Sequence, residues 1–354
     1  MTRSILIMAG GTGGHIFPAL AVADCLRAQG WRITWLGAAY SMEADLVPKA
    51  GYPLVTVRFA GLRGKGLLRK LMLPINLLIA LWQSAVMILR HRPDVLLGMG
   101  GYITFPGGMM AALLRRPLLI HEQNSIAGLS NKSLSHLATR TLTGFPGVLP
   151  NAEWCGNPVR ASIAALPDPS IRYAARRGGL NILVLGGSLG AQAINQCLPH
   201  ALALIPIAAR PQVLHQTGKQ HFAATQTLYG NVQVSANVQP FLDDMAKQYA
   251  WADLVICRAG ALTIAEISAA GVASILIPFP FAVDDHQTAN AKFLSAHEAA
   301  ILLPQASLKA QHLADLLQAL TREKALVMAL AAHKLAKPDA AQRVAEVCTE
   351  LAES

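Results

Sequence analysis

The chain has 354 residues, 53% of them hydrophobic and only 14% charged, and carries a formal net charge of +10 with a pI near 9.6. It is too long for one ordinary domain and suits two of roughly 150–200 residues with large cores, while the basic balance calls for an anionic partner: nucleic acid, a phosphorylated substrate or acidic lipid. Cys25, Cys155, Cys197, Cys257 and Cys348 are scattered singly, which excludes a C-x-x-C site or a disulfide framework and points to a reducing cytoplasm.

The N-terminus enters a strand by Ser4, without the basic start, long apolar stretch and cleavage site of a signal peptide. "SILIMAGG" reads as that strand, ending in a glycine cluster that opens directly into an amphipathic helix. "RITWLGA", "DVLLGMGG" and "PLLIHEQ" are the further strands expected in the first half; "NILVLGGS", "PQVLHQTG", "DLVICRAG" and "ASILIPFP" are those of the second. Their hydrophobicity is continuous rather than alternating, as in parallel strands buried on both faces. With helical patterns between them, they predict β-α-β units and doubly wound α/β sheets.

The halves echo each other: "ILIMAGGTGGHIFPALAVADCL" from Ile5 resembles "ILVLGGSLGAQAINQCLPHAL" from Ile182. "CGNPVRASIAALPDPS", with three prolines, is the expected linker. The domains expected are residues 1–157, residues 158–339, and a last helix over 340–354 that could belong to either half.

Glycine-rich turns at helix N-termini present unpaired N–H groups and a partial positive charge to a closely approaching phosphate. Three stretches qualify: Gly10–Gly14, Gly98–Gly101 and Gly186–Gly190. A dinucleotide fingerprint does not fit them. G-x-G-x-x-G from Gly11 would need glycine where Ile16 stands, and from Gly187 it would need glycine at Leu189. No acidic residue ends "WRITWLGAA" to take a ribose hydroxyl, and no G-K-[ST] marks a P-loop. A sugar nucleotide or another diphosphate is the ligand expected.

In the second half, "CRAGALTIAE" follows a strand and opens a helix. Arg258 is expected at the strand's carboxyl end, where α/β sites lie, and Glu266 near the end of the helix's second turn, where a carboxylate could accept both ribose hydroxyls. A structural arginine and a surface glutamate are the plain alternatives. "PFPFAVDDHQTANA" adds amides suited to sugar hydroxyls, or merely a solvated helix cap. With no D-x-D and no metal-ligand spacing, a metal-free site is expected.

The most apolar stretch is Leu67–Pro93. Leu71 to Leu89 is long enough to span a bilayer, but Pro74, Asn76, Gln83 and Ser84 interrupt it. Leu67, Leu71, Ile75, Leu78, Ile79, Trp82, Val86 and Leu89 recur at helical spacing. Arg63, Lys65, Arg69 and Lys70 precede them; Arg90 and Arg92 follow. The pattern suits a helix lying on an anionic inner leaflet, with a buried core helix as the alternative. Sparse aromatics argue against nucleic acid.

"GGTGGHIFPALAVA", "GMGGYITFPGG", "HEQNSIAGLSNK", "GNPVR", "GGSLGA", "HQTG", "FLDDM", "CRAGALTIAE" and "DDHQTANA" occur in this order, and over essentially its whole length the chain resembles the MurG family of bacterial peptidoglycan glycosyltransferases. The resemblance implies the GT-B fold, two Rossmann-like domains with a cleft between them. It implies inverting transfer of N-acetylglucosamine from its UDP donor to undecaprenyl-diphosphate-linked muramoyl pentapeptide (lipid I), without a metal cofactor, at the cytoplasmic face of the inner membrane. It also admits other cell-wall or division proteins as partners.

Residue by residue, Ser188 matches the serine at the nucleotide diphosphate, Leu242 the residue whose backbone reads uracil, and Arg160 a nucleotide contact. Ala261, Leu262, Thr263, Ile264, Ala265 and Glu266 match the stretch along nucleotide and sugar, joined by Arg258, with Glu266 on the ribose. Gln287 and Asn124 match sugar contacts, and Thr12, Gly13 and Gly14 the first-domain loop. Gly13, Gly14, Gly100, Gly101 and Tyr102 are then the expected seat of the acceptor diphosphate, and Leu71, Ile75, Leu78, Ile79 and Trp82 the membrane contact. Some relatives carry Gln-Gln where this chain has His286 and Gln287, so no hydroxyl contact is carried over to His286.

His15 stands directly after Gly14 at the mouth of the first helix. Neutral, it could take the proton of the attacking hydroxyl; otherwise it caps the turn or positions the acceptor phosphate. Three classes fit the whole pattern: the lipid-linked glycosyltransferase, another enzyme of the same fold such as a sugar-nucleotide epimerase or glycolipid synthase, and a phosphate-binding scaffold at the membrane. Glu266 with Gln287 argues against the scaffold, and "GGTGGH" with "HEQN" and the apolar helix against the epimerase.

Overall fold

A computed structural model of the chain describes residues 2–59, 72–186 and 191–353. The chain divides into two compact units, Met1–Arg160 with Lys337–Ser354, and Ala161–Ala336.

In the first unit the elements run β1 (Ser4–Met8), α1 (Gly13–Ala28), β2 (Arg32–Ala38), α2 (Met42–Lys49), β3 (Leu54–Val57), α3 (Leu73–His91), β4 (Val95–Gly98), α4 (Thr104–Leu113), β5 (Leu118–Glu122), α5 (Leu129–Leu134), β6 (Arg140–Thr143) and β7 (Glu153–Trp154). Among the described residues the strands form one parallel sheet in the order β3-β2-β1-β4-β5-β6-β7. Its central strands β1, β4 and β5 are buried on both faces, which is why they read as nearly unbroken apolar runs. Ile5 and Ile7 of β1 pack with Ile16, Val22 and Leu26 of α1 on one side. Leu6 and Met8 pack with Ile88 of α3 and Ala111 of α4 on the other.

The second unit begins with the short helices α6 (Ala161–Ala164) and α7 (Pro169–Ala174). It continues β8 (Asn181–Leu185), α8 (Gln192–Ala203), β9 (Gln212–Gln216), α9 (Phe222–Asn231), β10 (Asn237–Gln239), α10 (Met245–Trp251), β11 (Leu254–Cys257), α11 (Ala261–Ala270), β12 (Ala273–Leu276), α12 (His286–Ser295), β13 (Ile301–Leu302), α13 (Ala310–Ala319) and α14 (Arg322–Lys334). The parallel sheet is ordered β10-β9-β8-β11-β12-β13 among the described residues. In each sheet the strand order reverses beside the first strand of the unit, the position at which doubly wound folds place their ligands.

The last helix, α15 (Ala340–Glu353), packs along α1 in the first unit. Its inner stripe of Val344, Val347, Cys348 and Leu351 joins the core shared with β1 and β4. Arg343 fastens it by donating to both carboxylate oxygens of Glu153, at 2.7 and 3.1 Å.

The eight strands predicted from apolar runs are all present. Sequence reading missed β3, β6, β7, β10 and β13, which lie toward the sheet edges. They are two to four residues long, and all but the two-residue β13 mix polar side chains with apolar ones, so they lack a run long enough to register.

Candidate active site

Two glycine turns meet at the carboxyl edge of the first sheet. After β1 the chain passes through Gly11 at φ +86° and reaches Thr12, whose extended backbone caps α1. After β4, Gly100 and Gly101 take φ +91° and +86°. These left-handed values strongly favour glycine. A side chain at Gly101 would also strike the backbone of Gly10, so the two turns interlock. The Thr104 hydroxyl lies 2.8 Å from Gly100 O and 3.0 Å from Met8 O, tying the second turn to the end of β1.

Glu43 explains how the first turn is held. Its carboxylate is fully buried. It accepts the Gly11 N–H at 3.0 Å and the Ala38 N–H at 3.1 Å. Side chains at Gly10 or Gly37 would collide with it. The residue lies five positions beyond β2, so a search for an acid at the strand's end passes over it. It takes up the Gly11 N–H, which is then not offered to a phosphate. The N–H groups of Gly13 and Gly14 open α1 and, as in the first turn of any helix, have no i−4 carbonyl within the helix to bond. Tyr102 stands next in the second turn, its ring 6.0 Å from that of Phe59. Burial and the nearby Glu43 charge push its phenol above the ordinary range.

His15 sits half-buried in the first turn of α1, with Nδ1 2.9 Å from Gln123 Oε1. Gln123 follows β5 and is buried. Its Nε2 lies 3.0 Å from His121 Nδ1 and 3.1 Å from His121 O. His121 in turn places Nε2 2.9 Å from Gly156 O. Burial holds His121 down at about 4, so it is neutral at physiological pH. The backbone around this chain of contacts is pinned. Glu122 accepts from the N–H groups of Asn124 (2.9 Å) and Gly128 (3.1 Å) and from Asn131 Nδ2 (2.9 Å). Asn157 Nδ2 donates to Gln123 O at 2.9 Å.

Thr12, Gly13, Gly14, His15, Gly100, Gly101, Tyr102 and Asn124 therefore gather at the carboxyl ends of the neighbouring strands β1, β4 and β5. Arg160, at the end of the first unit, lies over the Phe17 ring at 6.0 Å from its centroid.

In the second unit Gly260 caps α11, and Ala261, Leu262 and Thr263 form its opening turn at the carboxyl end of β11. Ile264 and Glu266 turn inward and are buried, while Ala265 is half-buried. Tyr249 Oη donates to Glu266 Oε2 at 3.0 Å. Arg258 stands at the end of β11, and its guanidinium donates to Ile277 O and Pro278 O, both at 3.1 Å, and to Gln305 Oε1 at 2.6 Å. In this state it braces the loop that leaves β12. Gln287 accepts the Phe279 N–H on its Oε1 at 2.9 Å, which makes Nε2 the donor end of its amide. His286 Nδ1 lies 2.7 Å from Val283 O, so that nitrogen carries its proton toward its own turn. Leu242 is buried in the loop after β10. Ser188, with the middle of the "GGSLGA" turn (residues 187–190), falls outside the described residues, as does Leu71.

Helix α3 is turned inside out relative to a core helix. It buries Ala80, Ser84 and Ile88, four residues apart, against its unit. Leu78 and Trp82 are two-thirds exposed, and Ile75, Ile79, Val86 and Leu89 are exposed on the same outer side. The helix is long and apolar enough to cross a membrane by length and composition. Its inner stripe, however, forms part of the layer covering the sheet, which places it on the surface of the unit. Among the described residues no group of three or more His, Cys, Asp or Glu is placed to hold a metal.

Against known proteins, residues 5–143 match the glycosyltransferase family 28 N-terminal domain and residues 181–344 the family 28 C-terminal domain. The chain is 58% identical over 99% of its length, and 97% of the other protein's, to a Ralstonia nicotianae protein named UDP-N-acetylglucosamine–N-acetylmuramyl-(pentapeptide) pyrophosphoryl-undecaprenol N-acetylglucosamine transferase. A Cupriavidus metallidurans protein of the same name is 57% identical over 99% of this chain and 98% of its own. Among solved structures it is similar to MurG of Acinetobacter baumannii, with a TM-score of 0.86 and 40% identity over 98% of this chain and 99% of that one. A likeness to the glycosyltransferase VinC, solved with dTDP, has a TM-score of 0.67 at 16% identity, covering 99% of this chain and all of that one, and speaks to the fold alone.

Proposed function

The chain belongs to glycosyltransferase family 28 and, within it, to the MurG enzymes, and from that membership we infer that it moves N-acetylglucosamine from UDP-N-acetylglucosamine to lipid I, forming lipid II for peptidoglycan. Its fold is GT-B, with a Rossmann-like parallel sheet in each unit. The observation that carries the chemical reading is the pair of interlocked glycine turns beside His15.

In this reading the first unit serves the acceptor. The N–H groups of Gly13 and Gly14 and the turn at Gly100–Tyr102 hold its diphosphate, because a helix N-terminus offers donors and a favourable dipole. The second unit serves the donor, with the opening of α11 along the nucleotide, Glu266 on the ribose and the Gln287 amide on the sugar. The acceptor hydroxyl attacks the anomeric carbon with inversion. A new C–O bond forms as the bond to the UDP oxygen breaks, and the hydroxyl proton passes to the unprotonated nitrogen of His15. The charge of departing UDP meets backbone N–H groups rather than a metal. The enzyme attaches peripherally to the cytoplasmic face of the inner membrane, with the outer side of α3 laid in an anionic leaflet. Each apolar side chain buried there contributes roughly 1.5–3 kcal/mol.

Transfer of labelled sugar from UDP-N-acetylglucosamine to a lipid I analogue, run with and without chelator, tests the reading. Labelled lipid II in both arms is expected. No transfer would overturn the activity, and transfer lost on chelation would overturn its metal-free form.

A further inference from the structure

The contacts behind His15 fix more than its position. Begin at Gln123, whose amide orientation is settled by its neighbours. The atom 3.1 Å from His121 O faces an oxygen that only accepts, so that atom is the amide nitrogen. The same nitrogen has its second proton for His121 Nδ1 at 3.0 Å. His121 Nδ1 is therefore unprotonated, and its ring proton lies on Nε2, facing Gly156 O at 2.9 Å. Gly156 O likewise only accepts, so both ends of the chain require the same assignment. The remaining Gln123 atom, Oε1, faces His15 Nδ1 at 2.9 Å and can only accept. His15 Nδ1 must then carry a proton, and the neutral ring is left with its lone pair on Nε2.

We propose that Gln123 is a positioning residue that relays the tautomer of buried His121 to His15, holding His15 as the Nδ1–H form with Nε2 free to accept the acceptor's proton. The proposal rests on the reading of His15 as the base, and it deepens that reading by naming the reactive nitrogen and what selects it. Three further features fit. Gly100 at φ +91° leaves room for the pair, since a side chain there would come 2.7 Å from His15 Nδ1 and 3.2 Å from Gln123 Oε1. Asn157 and Asn131 pin the backbone on either side of the relay. His121 is fully buried and neutral, so a pH change near neutrality does not reset the relay's starting point.

The direct test is nitrogen NMR of the imidazoles in the full-length protein without substrate, resolving His15 by comparison with His15→Asn. The expected wild-type spectrum shows His15 as the Nδ1–H tautomer. An Nε2–H wild type overturns the proposal with no variant needed. Gln123→Met removes both amide contacts at similar size and should move His15 toward Nε2–H. It should also lower kcat on the order of 10–100-fold, the range seen when a partner that orients an imidazole is removed, with KM for both substrates nearly kept. If His15 in Gln123→Met stays Nδ1–H, the relay is overturned. If the tautomer moves while kcat does not, the relay stands and the reading of His15 as base falls.

Discussion

Each unit buries a neutral histidine near the carboxyl end of a strand, and the two are wired differently. His215 of β9 places Nε2 3.0 Å from Asn195 Oδ1 and Nδ1 3.0 Å from Tyr229 Oη. Asn195 Nδ2 donates to Thr217 O at 3.0 Å, which fixes that amide and makes His215 an Nε2–H tautomer, as in His121. Asn195, Tyr229 and Thr217 are all buried, so the described contacts stay inside the second unit. The chain from His121 leads outward to half-buried His15. A buried polar network that closes on itself specifies packing; one that ends at a reachable imidazole can carry information to chemistry.

The contrast yields its largest expected effect in paired variants. His15→Ala should lower kcat by ~10²–10⁴ while leaving Tm nearly unchanged, the loss expected for a general base on the outside of the core. His15→Asn should keep acceptor affinity without restoring kcat, because it offers a hydrogen bond but no basic nitrogen. His215→Leu should do the reverse. It strands Asn195 and Tyr229 and should cost roughly 2–4 kcal/mol of stability, with the folded fraction still active. Steady-state kinetics and thermal unfolding on the same preparations separate the two. A near-normal kcat for His15→Asn would remove the base role.

The units also differ in where they turn apolar surface. In α3 six large apolar side chains line the outer side, whereas α8 in the second unit buries Ile194, Leu198 and Leu202. Replacing Ile75, Leu78 and Trp82 together with serine should weaken binding to anionic vesicles by at least about 10³-fold, while Tm stays within a degree or two of wild type. High salt should weaken the wild type as well, through the flanking cations. Sedimentation with vesicles checks both. Vesicle binding unchanged in the triple variant would move the membrane contact elsewhere.

The two histidine networks agree in one respect, their response to acid. Burial pushes His121 down to about 4 and His215 down to about 3, against an ordinary value of ~6.5. Below ~6.5 the unfolded chain takes up protons that the folded chain refuses, so stability falls as pH drops from there toward 4. The expected loss is a few kcal/mol, measured as denaturant midpoints at stepped pH. His215→Leu should flatten the fall, since one of the two proton-refusing sites is gone. An unaltered slope in that variant would mean other groups govern acid unfolding.

How much of this was legible beforehand differs between the units' cores and their sites. The long central strands announce themselves because both faces are buried, as the split of β1 into Ile5 and Ile7 against Leu6 and Met8 makes plain. Strands such as Arg140–Thr143 and Asn237–Gln239 do not, because short edge strands carry polar side chains and no run. The last helix was ambiguous because its stripe of Val344, Val347 and Leu351 suits any sheet-covering helix; its partners Glu153 and α1 lie far away in the chain. The motif "HEQN" and His15 were both visible, but the contact between Gln123 and His15 spans 108 positions and no local spacing encodes it. Glu43 was missed for a similar reason: its role depends on Gly10 and Gly37 leaving room for a carboxylate.

The smallest expected effect concerns a buried contact in the second unit that does meet a ligand in the proposed reading. Tyr249 is fully buried and donates to Glu266 Oε2 at 3.0 Å, so the phenol aims the carboxylate and satisfies one of its oxygens. A ribose would add hydroxyl donors to the same carboxylate, which has lone pairs to accept them. Glu266→Ala removes those acceptors and should weaken UDP binding by ~1–3 kcal/mol in calorimetry. Tyr249→Phe leaves the carboxylate in place but less firmly aimed, and should weaken UDP by no more than ~1 kcal/mol while costing a similar amount of stability. The double variant should bind UDP no worse than Glu266→Ala alone, because the phenol acts only through the carboxylate. Additive losses would show that Tyr249 supports the nucleotide by another route, and unchanged UDP affinity in Glu266→Ala would take the carboxylate out of the donor site.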